Sequence, residues 1–174
     1  MFEPLIVNRK KHVSFSKIFE EKHGLFKPSS QNSMSLKIKT FTIDDIELIR
    51  CPQDIMSGDD FAEDIVSRGY IPLDLFHARA IKTDGVALSR LTSLTSKYIW
   101  VKRFSLETIS FFGTKVTDGQ KEHVVCLKFD SFLQNGNGPI FMCFEGHDTG
   151  WSEFHDLAAV FKKSSVEKLL KNGK

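Results

Sequence analysis

The densest group of side chains with catalytic or metal-binding chemistry lies between residues 147 and 156. It contains two imidazoles and three carboxylates: His147, Asp148, Glu153, His155 and Asp156. A zinc site needs three or four such ligands that converge on one ion, and the eight positions from His147 to His155 match no established ligand spacing. We therefore predict a capped helix start with a polar face here. The alternative is a small metal-dependent hydrolase that uses this group.

Other catalytic motifs are missing from the sequence. Gly136 and Gly138 lack the further glycine, the lysine and the helix start of a phosphate-binding loop. There is no Gly-x-Ser-x-Gly nucleophile motif, and Cys51, just before Pro52, has no histidine near it in the sequence. The sequence therefore predicts a non-enzymatic protein with no catalytic residue, no cofactor and no metal ion.

Basic residues are concentrated near the N-terminus. Residues 1–39 hold eight cations and three carboxylates, a net charge of +5, whereas residues 40–70 hold two cations and eight carboxylates, a net charge of −6. The total charge of +2 for the whole chain therefore hides a basic arm beside an acidic block. This asymmetry predicts an anionic partner for the arm. The alternative is that the arm lies on the acidic block of its own chain.

The candidate contacts to an anionic partner are Arg9, Lys10, Lys11, Lys17, Lys22, Lys27, Lys37 and Lys39. If they bind phosphates, log affinity falls with log salt at a slope of about −0.9 per contact. Phe15 and Phe19 of the arm could stack on single-stranded bases or insert at a membrane interface. The predicted partner is single-stranded nucleic acid or an anionic membrane surface.

A second candidate binding surface lies near residue 100. On a strand, side chains alternate between the two faces, so Tyr98, Trp100 and Lys102 would share one face. Aromatic rings interleaved with cations are typical of proteins that bind single strands by stacking. We therefore predict a stacking face made by these three residues.

The elements that position these residues divide the chain at residue 33. Residues 1–33 are predicted to be a basic N-terminal arm, with a short helix from Ser14 to Lys22 and a Pro/Ser linker from Lys27 to Ser33. Residues 34–174 are predicted to be one compact domain. We expect this domain to self-associate or to bind a protein partner.

Alternating apolar residues and Gly-containing turns predict an antiparallel sheet in this domain. Strands are predicted over 36–43, 70–81, 98–112, 123–129 and 140–144. Turns are predicted at Asp84-Gly85, at Asp118-Gly119 and at residues 135–139. The predicted fold class is α+β, a β-rich single domain with an antiparallel meander or sandwich-like sheet.

Two helices are predicted beside the sheet. Ser57 begins a short acidic helix with Phe61 and Ile65 on its apolar face, and Gly69 ends it. From Trp151 to Phe161 apolar residues recur at helical spacing, which predicts a C-terminal amphipathic helix packed on the sheet. A bent sheet closed by such a helix resembles a pleckstrin-homology domain, which binds proteins or lipids. The position of Trp151 near the helix start counts against that alternative.

The composition is that of a globular protein. Of 174 residues, 41% are hydrophobic and 26% charged, and 16 are Phe, a residue suited to burial. No apolar run approaches the length of a transmembrane helix, and the N-terminus lacks the charge order of a secretory signal. The three cysteines are sparse and widely spaced. We therefore expect an intracellular protein, cytoplasmic or nuclear and not secreted, without a transmembrane segment.

Two resemblances concern viral proteins. From Asp59 to Arg90, an acidic helix followed by Gly-Tyr-Ile-Pro-Leu-Asp-Leu-Phe resembles the strand entry of plant-virus movement proteins of the thirty-kilodalton superfamily. The order of a Lys-rich arm, a linker and a β-rich domain is similar to that of small rhabdovirus-type matrix proteins. Both resemblances imply a non-enzymatic viral structural protein. With the basic arm, they favour a binding and assembly protein that engages nucleic acid or an anionic membrane.

Overall fold

A computed structural model describes seven stretches of the chain: residues 3–9, 27–98, 105–106, 108–117, 119–128, 140–145 and 150–172. Side chains are described in all of them except at Lys27 and at residues 140–145. These stretches contain nine strands and five α-helices. This mixed content agrees with the α+β class that the sequence predicts.

The strands are β1 (Leu5–Ile6), β2 (Lys27–Gln31), β3 (Thr40–Phe41), β4 (Ile46–Arg50), β5 (Ile71–Pro72), β6 (Thr108–Thr117), β7 (Glu122–Lys128), β8 (Ile140–Glu145) and β9 (Asp156–Phe161). The α-helices are α1 (Ser33–Lys37), α2 (Gly58–Ser67), α3 (Leu75–Thr83), α4 (Gly85–Ser93) and α5 (Lys163–Lys171). Two 3₁₀ helices lie at Ile43–Asp45 and Leu94–Tyr98.

Seven of these strands form one mixed sheet in the order β4-β9-β6-β7-β8, with β2 paired to β6 and β5 paired to β9. Strand β9 lies inside the sheet, antiparallel to β4 on one side and parallel to β6 on the other. The prediction of a purely antiparallel meander is therefore wrong. Strands β6, β7 and β8 follow one another in the sequence, and each pairs antiparallel with the next. Strands β1 and β3 form a separate antiparallel pair.

Apolar side chains cover both faces of the sheet. On β7, Val125 and Leu127 belong to a larger core with residues of α3 and α4. The alternate residues Val124 and Cys126 belong to a smaller core with Trp151 and residues of α2, because successive side chains of a strand point to opposite faces. The predicted burial of phenylalanine is confirmed at Phe41, Phe61, Phe111, Phe112 and Phe161.

Helix α2 begins and ends where the sequence predicts. The Ser57 hydroxyl accepts a hydrogen bond from the backbone N–H of Asp60 at 3.1 Å, and Phe61 and Ile65 are fully buried. Gly69 follows the last turn with a φ of +77°, a left-handed conformation that glycine adopts without steric cost.

The predicted Pro/Ser linker is wrong at residues 27–31, which form β2. This strand pairs antiparallel with β6, from Lys27 opposite Thr117 to Gln31 opposite Thr114. The register shifts between Pro28 and Ser30, and such an irregularity accommodates a residue that has no N–H to donate. The segment is therefore part of the main sheet.

Three predicted strands are confirmed only in part, at β3, at β5 and in the first half of β6. The same predicted segments, 36–43, 70–81 and 98–112, also contain the end of α1, helix α3 and the end of a 3₁₀ helix, where the strand prediction is wrong. Asn32 and Asp74 cap α1 and α3, and each side chain accepts two backbone N–H groups. These caps satisfy the donors that a helix start leaves free, which favours the helix over the strand.

Residues 156–161 form β9, so the prediction of a C-terminal amphipathic helix from Trp151 to Phe161 is wrong. All six residues are buried, with Leu157 in the larger core and Ala158 in the smaller one. A short strand that is buried on both faces is apolar at every position, so its sequence lacks the two-residue alternation of a half-buried strand. Periodicity therefore does not distinguish it from a buried helix. A C-terminal helix, α5, begins later at Lys163 and buries Leu169.

Strand β6 changes partner along its length. Its first residues pair with β9 and its last residues with β2, and its register with β7 shifts between Phe111 and Lys115. Gly113 lies at this change and donates its N–H to the carbonyl of Leu73 at 2.8 Å. A Cβ here would lie 2.8 Å from backbone atoms of Leu73 and Asp74. This close approach places the start of α3 against the sheet.

Candidate functional site

Helix α3 begins at a cap made by two fully buried side chains. Asp74 Oδ1 accepts the backbone N–H groups of Phe76 at 2.9 Å and His77 at 3.0 Å. His77 Nδ1 accepts the backbone N–H of Asp74 at 3.1 Å, and its Nε2 lies 3.1 Å from the carbonyl oxygen of Ile38. The cap holds the second carboxylate oxygen of Asp74 ready for another donor.

That donor is Arg9, from the N-terminal segment. Its Nη1 donates to Asp74 Oδ2 at 2.6 Å, and its Nη2 donates to the carbonyl oxygens of Ser35 at 3.0 Å and Ile38 at 3.4 Å. The guanidinium carbon also lies 5.1 Å from the ring centroid of Phe76, within cation–π range. Arg9, predicted as a contact to an anionic partner, is thus held inside the protein.

The contacts of Asp74 determine its charge. Burial alone would raise the pKa of this carboxyl, but its hydrogen bonds with His77, its electrostatic interaction with the His77 imidazole and the positive charge of Arg9 outweigh burial and hold the pKa below its ordinary value. Asp74 is therefore ionised at neutral pH. The negative charge that it contributes is balanced within the protein by Arg9.

Two other predicted cations lie beside Arg9. Lys37 and Lys39 flank Ile38, whose carbonyl Arg9 contacts, and both are exposed. The backbone N–H of Val7 donates to the carbonyl of Lys39 at 2.9 Å, which fixes the N-terminal segment against these residues. We call the group of Arg9, Lys37 and Lys39 the arm root.

Of the other predicted cations, Lys27 alone lies within the described residues, and it is not part of this group. Lys27 lies on β2, opposite Thr117 of β6. The predicted helix from Ser14 to Lys22 lies outside the described residues. So do four predicted partner contacts: Lys10, Lys11, Lys17 and Lys22.

Tyr98 is not part of an exposed stacking face. It ends a 3₁₀ helix rather than standing on a strand, and it is 8% exposed. Its hydroxyl donates to the carbonyl oxygen of Leu48, and the ammonium of Lys97 lies 4.9 Å from its ring centroid. Burial raises the pKa of Tyr98 to about 12. The other two residues of the predicted face, Trp100 and Lys102, lie outside the described residues.

Sequence reasoning missed a second guanidinium with a buried nitrogen, that of Arg79. Arg79 lies on α3 three positions after Phe76, so the two residues project from the same side of the helix. Arg9 Nε and Arg79 Nη1 are both buried, and neither has a hydrogen-bond partner in the part of the chain that the structure describes. If residues 75–83 are recognised as a helix, the three-residue spacing of Phe76 and Arg79 predicts that the two side chains lie on the same side of it.

The imidazoles and carboxylates predicted between residues 147 and 156 have separate partners where they are described. Asp156 accepts the hydroxyl of Thr108 at 2.5 Å, and Glu153 lies 3.5 Å from a guanidinium nitrogen of Arg50. His155 Nδ1 lies 3.0 Å from a backbone carbonyl oxygen. Among the described residues, no three His, Cys, Asp or Glu side chains are grouped to hold a metal ion. His147 and Asp148 lie outside those residues.

A cleft of 580 Å³ opens between α2 and the sheet. It is lined by Asn32, Asp59, Ala62, Glu63, Val66, Ser67, Pro72, Phe112 and Lys115. The ammonium of Lys115 pairs with Asp59 and lies 3.6 Å from Glu122. Burial would lower the pKa of Lys115, but the hydrogen bonds and charges of these two carboxylates outweigh burial and raise it. The charge of this lysine is thus balanced by neighbouring side chains.

Cys51 has the environment of a structural thiol. It is 1% exposed, and burial raises its pKa to about 11. The thiolate is the nucleophilic form, and the raised pKa disfavours this form at neutral pH.

No helix in the described stretches is long and apolar enough to cross a membrane. Comparison of the chain with protein-family models, with curated proteins and with solved structures gives no match.

Proposed function

We propose that this is a non-enzymatic binding and assembly protein that engages single-stranded nucleic acid through its basic N-terminal arm. One observation carries the proposal: Arg9 is fixed to the carbonyl oxygens of Ser35 and Ile38, so this residue of the arm lies beside Lys37 and Lys39. Lys10 and Lys11 follow Arg9 directly in the sequence, so the arm can add its charge to that of Lys37 and Lys39. A viral matrix- or movement-type structural protein would use these cations to hold nucleic acid.

The charges of the two lysines support this proposal. Within the described residues, the Lys39 ammonium has no hydrogen-bond or ion-pair partner, and the Lys37 ammonium contacts only the Met34 sulfur at 3.7 Å, a weak acceptor. Lys10 and Lys11 follow Arg9 directly in the sequence. Cations spaced by less than the Debye length of about 8 Å attract a polyanion together.

An anionic membrane surface is the second candidate partner. Ile6 lies three positions before Arg9 and its side chain is 75% exposed. An exposed apolar side chain beside lysines suits insertion between anionic headgroups. Vesicle binding that depends on Ile6 would favour the membrane over nucleic acid.

The assembly part of the proposal is supported by β8. In the described stretches β8 pairs with β7 alone, and its residues from Ile140 to Phe144 carry no charge. Uncharged strands at a sheet edge can pair with a strand of another molecule. Multi-angle light scattering should give a mass above 19.8 kDa that falls towards this value when Met142 is replaced by Lys. A monomeric wild-type protein would contradict self-association.

Substitutions test the arm more sharply than its deletion. Removing residues 1–33 would also remove β1, β2 and the Arg9 anchor, so a loss of binding could reflect a damaged fold. Replacing Lys10, Lys11, Lys17 and Lys22 by Gln removes charge and leaves those elements in place. Fluorescence anisotropy with labelled single-stranded RNA, single-stranded DNA and anionic vesicles, each across a salt series, measures the effect.

The arm variant should bind RNA at least about tenfold more weakly at low salt, and its salt slope should fall by about 0.7 for each phosphate that the removed lysines would neutralise. The pair Lys37→Gln/Lys39→Gln should lower the slope further. Its matched control is Lys168→Gln/Lys171→Gln, which removes the same charge from α5 and should change affinity by less than about twofold. Equal slopes for the two double variants, or no binding by the wild-type protein, would contradict the proposal.

A further inference from the structure

The cleft between α2 and the sheet, which we call the α2 cleft, has a volume of 580 Å³ and an apolar floor. The volume is within the range of about 300–1,000 Å³ that is usual for ligand sites. The floor is made by Phe112, which is 7% exposed, and by Pro72, which is also buried. A ligand that enters the cleft therefore contacts apolar side chains at its base.

One stripe of α2 forms the opposite wall of the cleft. Asp59, Ala62, Glu63 and Val66 all line it, and their spacing of three and four positions places them on one side of the helix. The wall therefore combines two carboxylates with two apolar side chains, in alternation along the helix.

Val66 remains open to solvent on this wall, with 51% of its surface exposed. Exposed apolar residues that stand singly are normal, but Val66 lines the same cleft as Ala62, Phe112 and Pro72. An apolar side chain of a ligand would remove this shared surface from water, which favours binding.

The negative charge of the wall is only partly balanced. Asp59 pairs with Lys115, whereas Glu63 is exposed and has no hydrogen bond or ion pair in the part of the chain that the structure describes. Among the described residues that line the cleft, Lys115 is the one cation, and both Asp59 and Glu122 lie beside it. The α2 cleft therefore attracts a cation and offers it the carboxylate of Glu63.

The charge of α2 extends beyond the cleft, which favours a peptide over a small cation. The helix carries four carboxylates and no cation between Gly58 and Ser67, and two of them, Asp60 and Asp64, are not among the lining residues. A chain with several cations interacts with this whole acidic surface, whereas a single small cation reaches only the cleft.

We propose that the α2 cleft binds a basic peptide segment of a partner protein. A lysine or arginine side chain of the peptide pairs with Glu63, and a neighbouring apolar side chain packs against Val66 and Phe112. This site goes beyond the proposed function, because it uses the acidic helix rather than the basic arm. The protein then has two binding surfaces of opposite charge.

A labelled synthetic peptide tests the site in the full-length protein. The probe is the fluorescein-labelled sequence Gly-Lys-Val-Lys-Leu-Arg-Gly, and its two controls carry Glu at each cation or Ser at Val and Leu. Fluorescence anisotropy should show binding of the probe that weakens as salt is added, weaker binding of the Ser peptide and no binding of the Glu peptide. Equal binding of the probe and either control peptide would overturn the inference.

Matched variants locate the binding. Glu63→Gln should weaken probe binding at least about threefold, because one partner of a surface charge pair is lost. Asp44→Asn makes the same charge change at an exposed carboxylate outside the cleft and should change affinity by less than about 1.5-fold. Val66→Ser should weaken binding about twofold to threefold, whereas Val86→Ser, at an exposed valine of α4, should leave it unchanged.

Equal affinities for Glu63→Gln and Asp44→Asn would overturn the inference, as would a wild-type protein that does not bind the probe. Both results leave the proposed function standing, because RNA binding is measured separately. A synthetic peptide of residues 9–22 that binds the cleft at least about tenfold more tightly than the probe would assign the cleft to the protein's own arm and overturn the assignment to a partner.

A measurement on the wild-type protein avoids any effect of substitution on folding. Titration of the unlabelled probe peptide into ¹⁵N-labelled protein should shift the backbone amide resonances of Ala62, Glu63 and Val66. Saturable shifts confined to residues outside the α2 cleft would contradict the site.

Discussion

Arg9 and Asp74 are 65 positions apart in the sequence, yet a guanidinium nitrogen and a carboxylate oxygen meet at 2.6 Å, with the carboxylate fully buried. The pair joins the N-terminal segment to the first turn of α3. It therefore fixes the position of Arg9, the residue that directly precedes Lys10 and Lys11 in the sequence.

Replacing Asp74 by Asn should lower the free energy of unfolding by about 3 kcal/mol, because one partner of a largely buried ion pair is removed. Asn is as good a helix cap as Asp, so the loss reports the pair rather than the cap. Asp84→Asn is the matched control, since Asp84 caps α4 through two backbone N–H groups, and it should change stability by less than about 0.5 kcal/mol. Urea denaturation measures both. Equal losses would contradict a role for the ion pair.

The stabilisation by Asp74 should depend on pH. The folded-state pKa lies below the ordinary value of 3.8, so the ionised form favours folding. This contribution is complete above pH 3.8 and is lost as the pH falls through the folded-state pKa. The stability difference between wild type and Asp74→Asn should be constant from pH 7 to 5 and shrink towards pH 2. A stability difference that grows on acidification would contradict a lowered pKa of Asp74 in the folded state.

Gly113→Ala should destabilise the protein by about 2–3 kcal/mol, in the range of overpacked sites. The added Cβ would lie 2.8 Å from backbone atoms of Leu73 and Asp74, which cannot move without disturbing the sheet and α3. Gly85→Ala is the control, because no atom lies within 4 Å of its Cβ position and alanine favours the helix. Thermal unfolding should show a lower Tm for the first variant and an equal or higher Tm for the second. Similar Tm values for the two variants would contradict the expected steric overlap and would mean that the backbone around Gly113 moves to accommodate the added Cβ.

Tyr98→Phe should cost about 1 kcal/mol, the usual contribution of one hydrogen bond, because the Leu48 carbonyl loses the hydroxyl donor. The pKa of Tyr98 is raised to about 12 from 10.0, so the protonated form favours folding and its contribution is lost as the pH rises through that range. An alkaline absorbance titration should contain a phenolate component with a midpoint near 12 that is absent from the variant. A wild-type titration complete by pH 11 would contradict this.

Sequence reasoning succeeded where one residue determines local geometry. Ser57 and Gly69 mark the two ends of α2 because a hydroxyl cap and a left-handed glycine have few other uses. It failed at Asp156–Phe161, where burial on both faces removes the period that distinguishes strand from helix. It also failed at Leu75–Thr83, although the Asp74 cap and the spacing of Leu75, Ala78 and Ile81 are both present in the sequence.

The candidate site was less accessible to sequence reasoning. Residue type marks Arg9, Lys37 and Lys39 as cations, but it does not separate the one that binds a buried carboxylate from the two that stay exposed. That difference arises from a contact across 65 positions, which local pattern does not encode. The prediction that Tyr98 lies on an exposed stacking face is wrong for the same reason, since the partner of its hydroxyl, Leu48, is 50 positions away.

The central place of β9 has a consequence for biosynthesis. Strands β4 and β6 reach their common neighbour only when residues 156–161 have been made, so ribosome-bound chains that end earlier leave a gap within the sheet. Contacts of such long sequence separation fold slowly and expose strand edges meanwhile. Premature termination before Phe161 should therefore yield an aggregating fragment rather than a smaller folded protein.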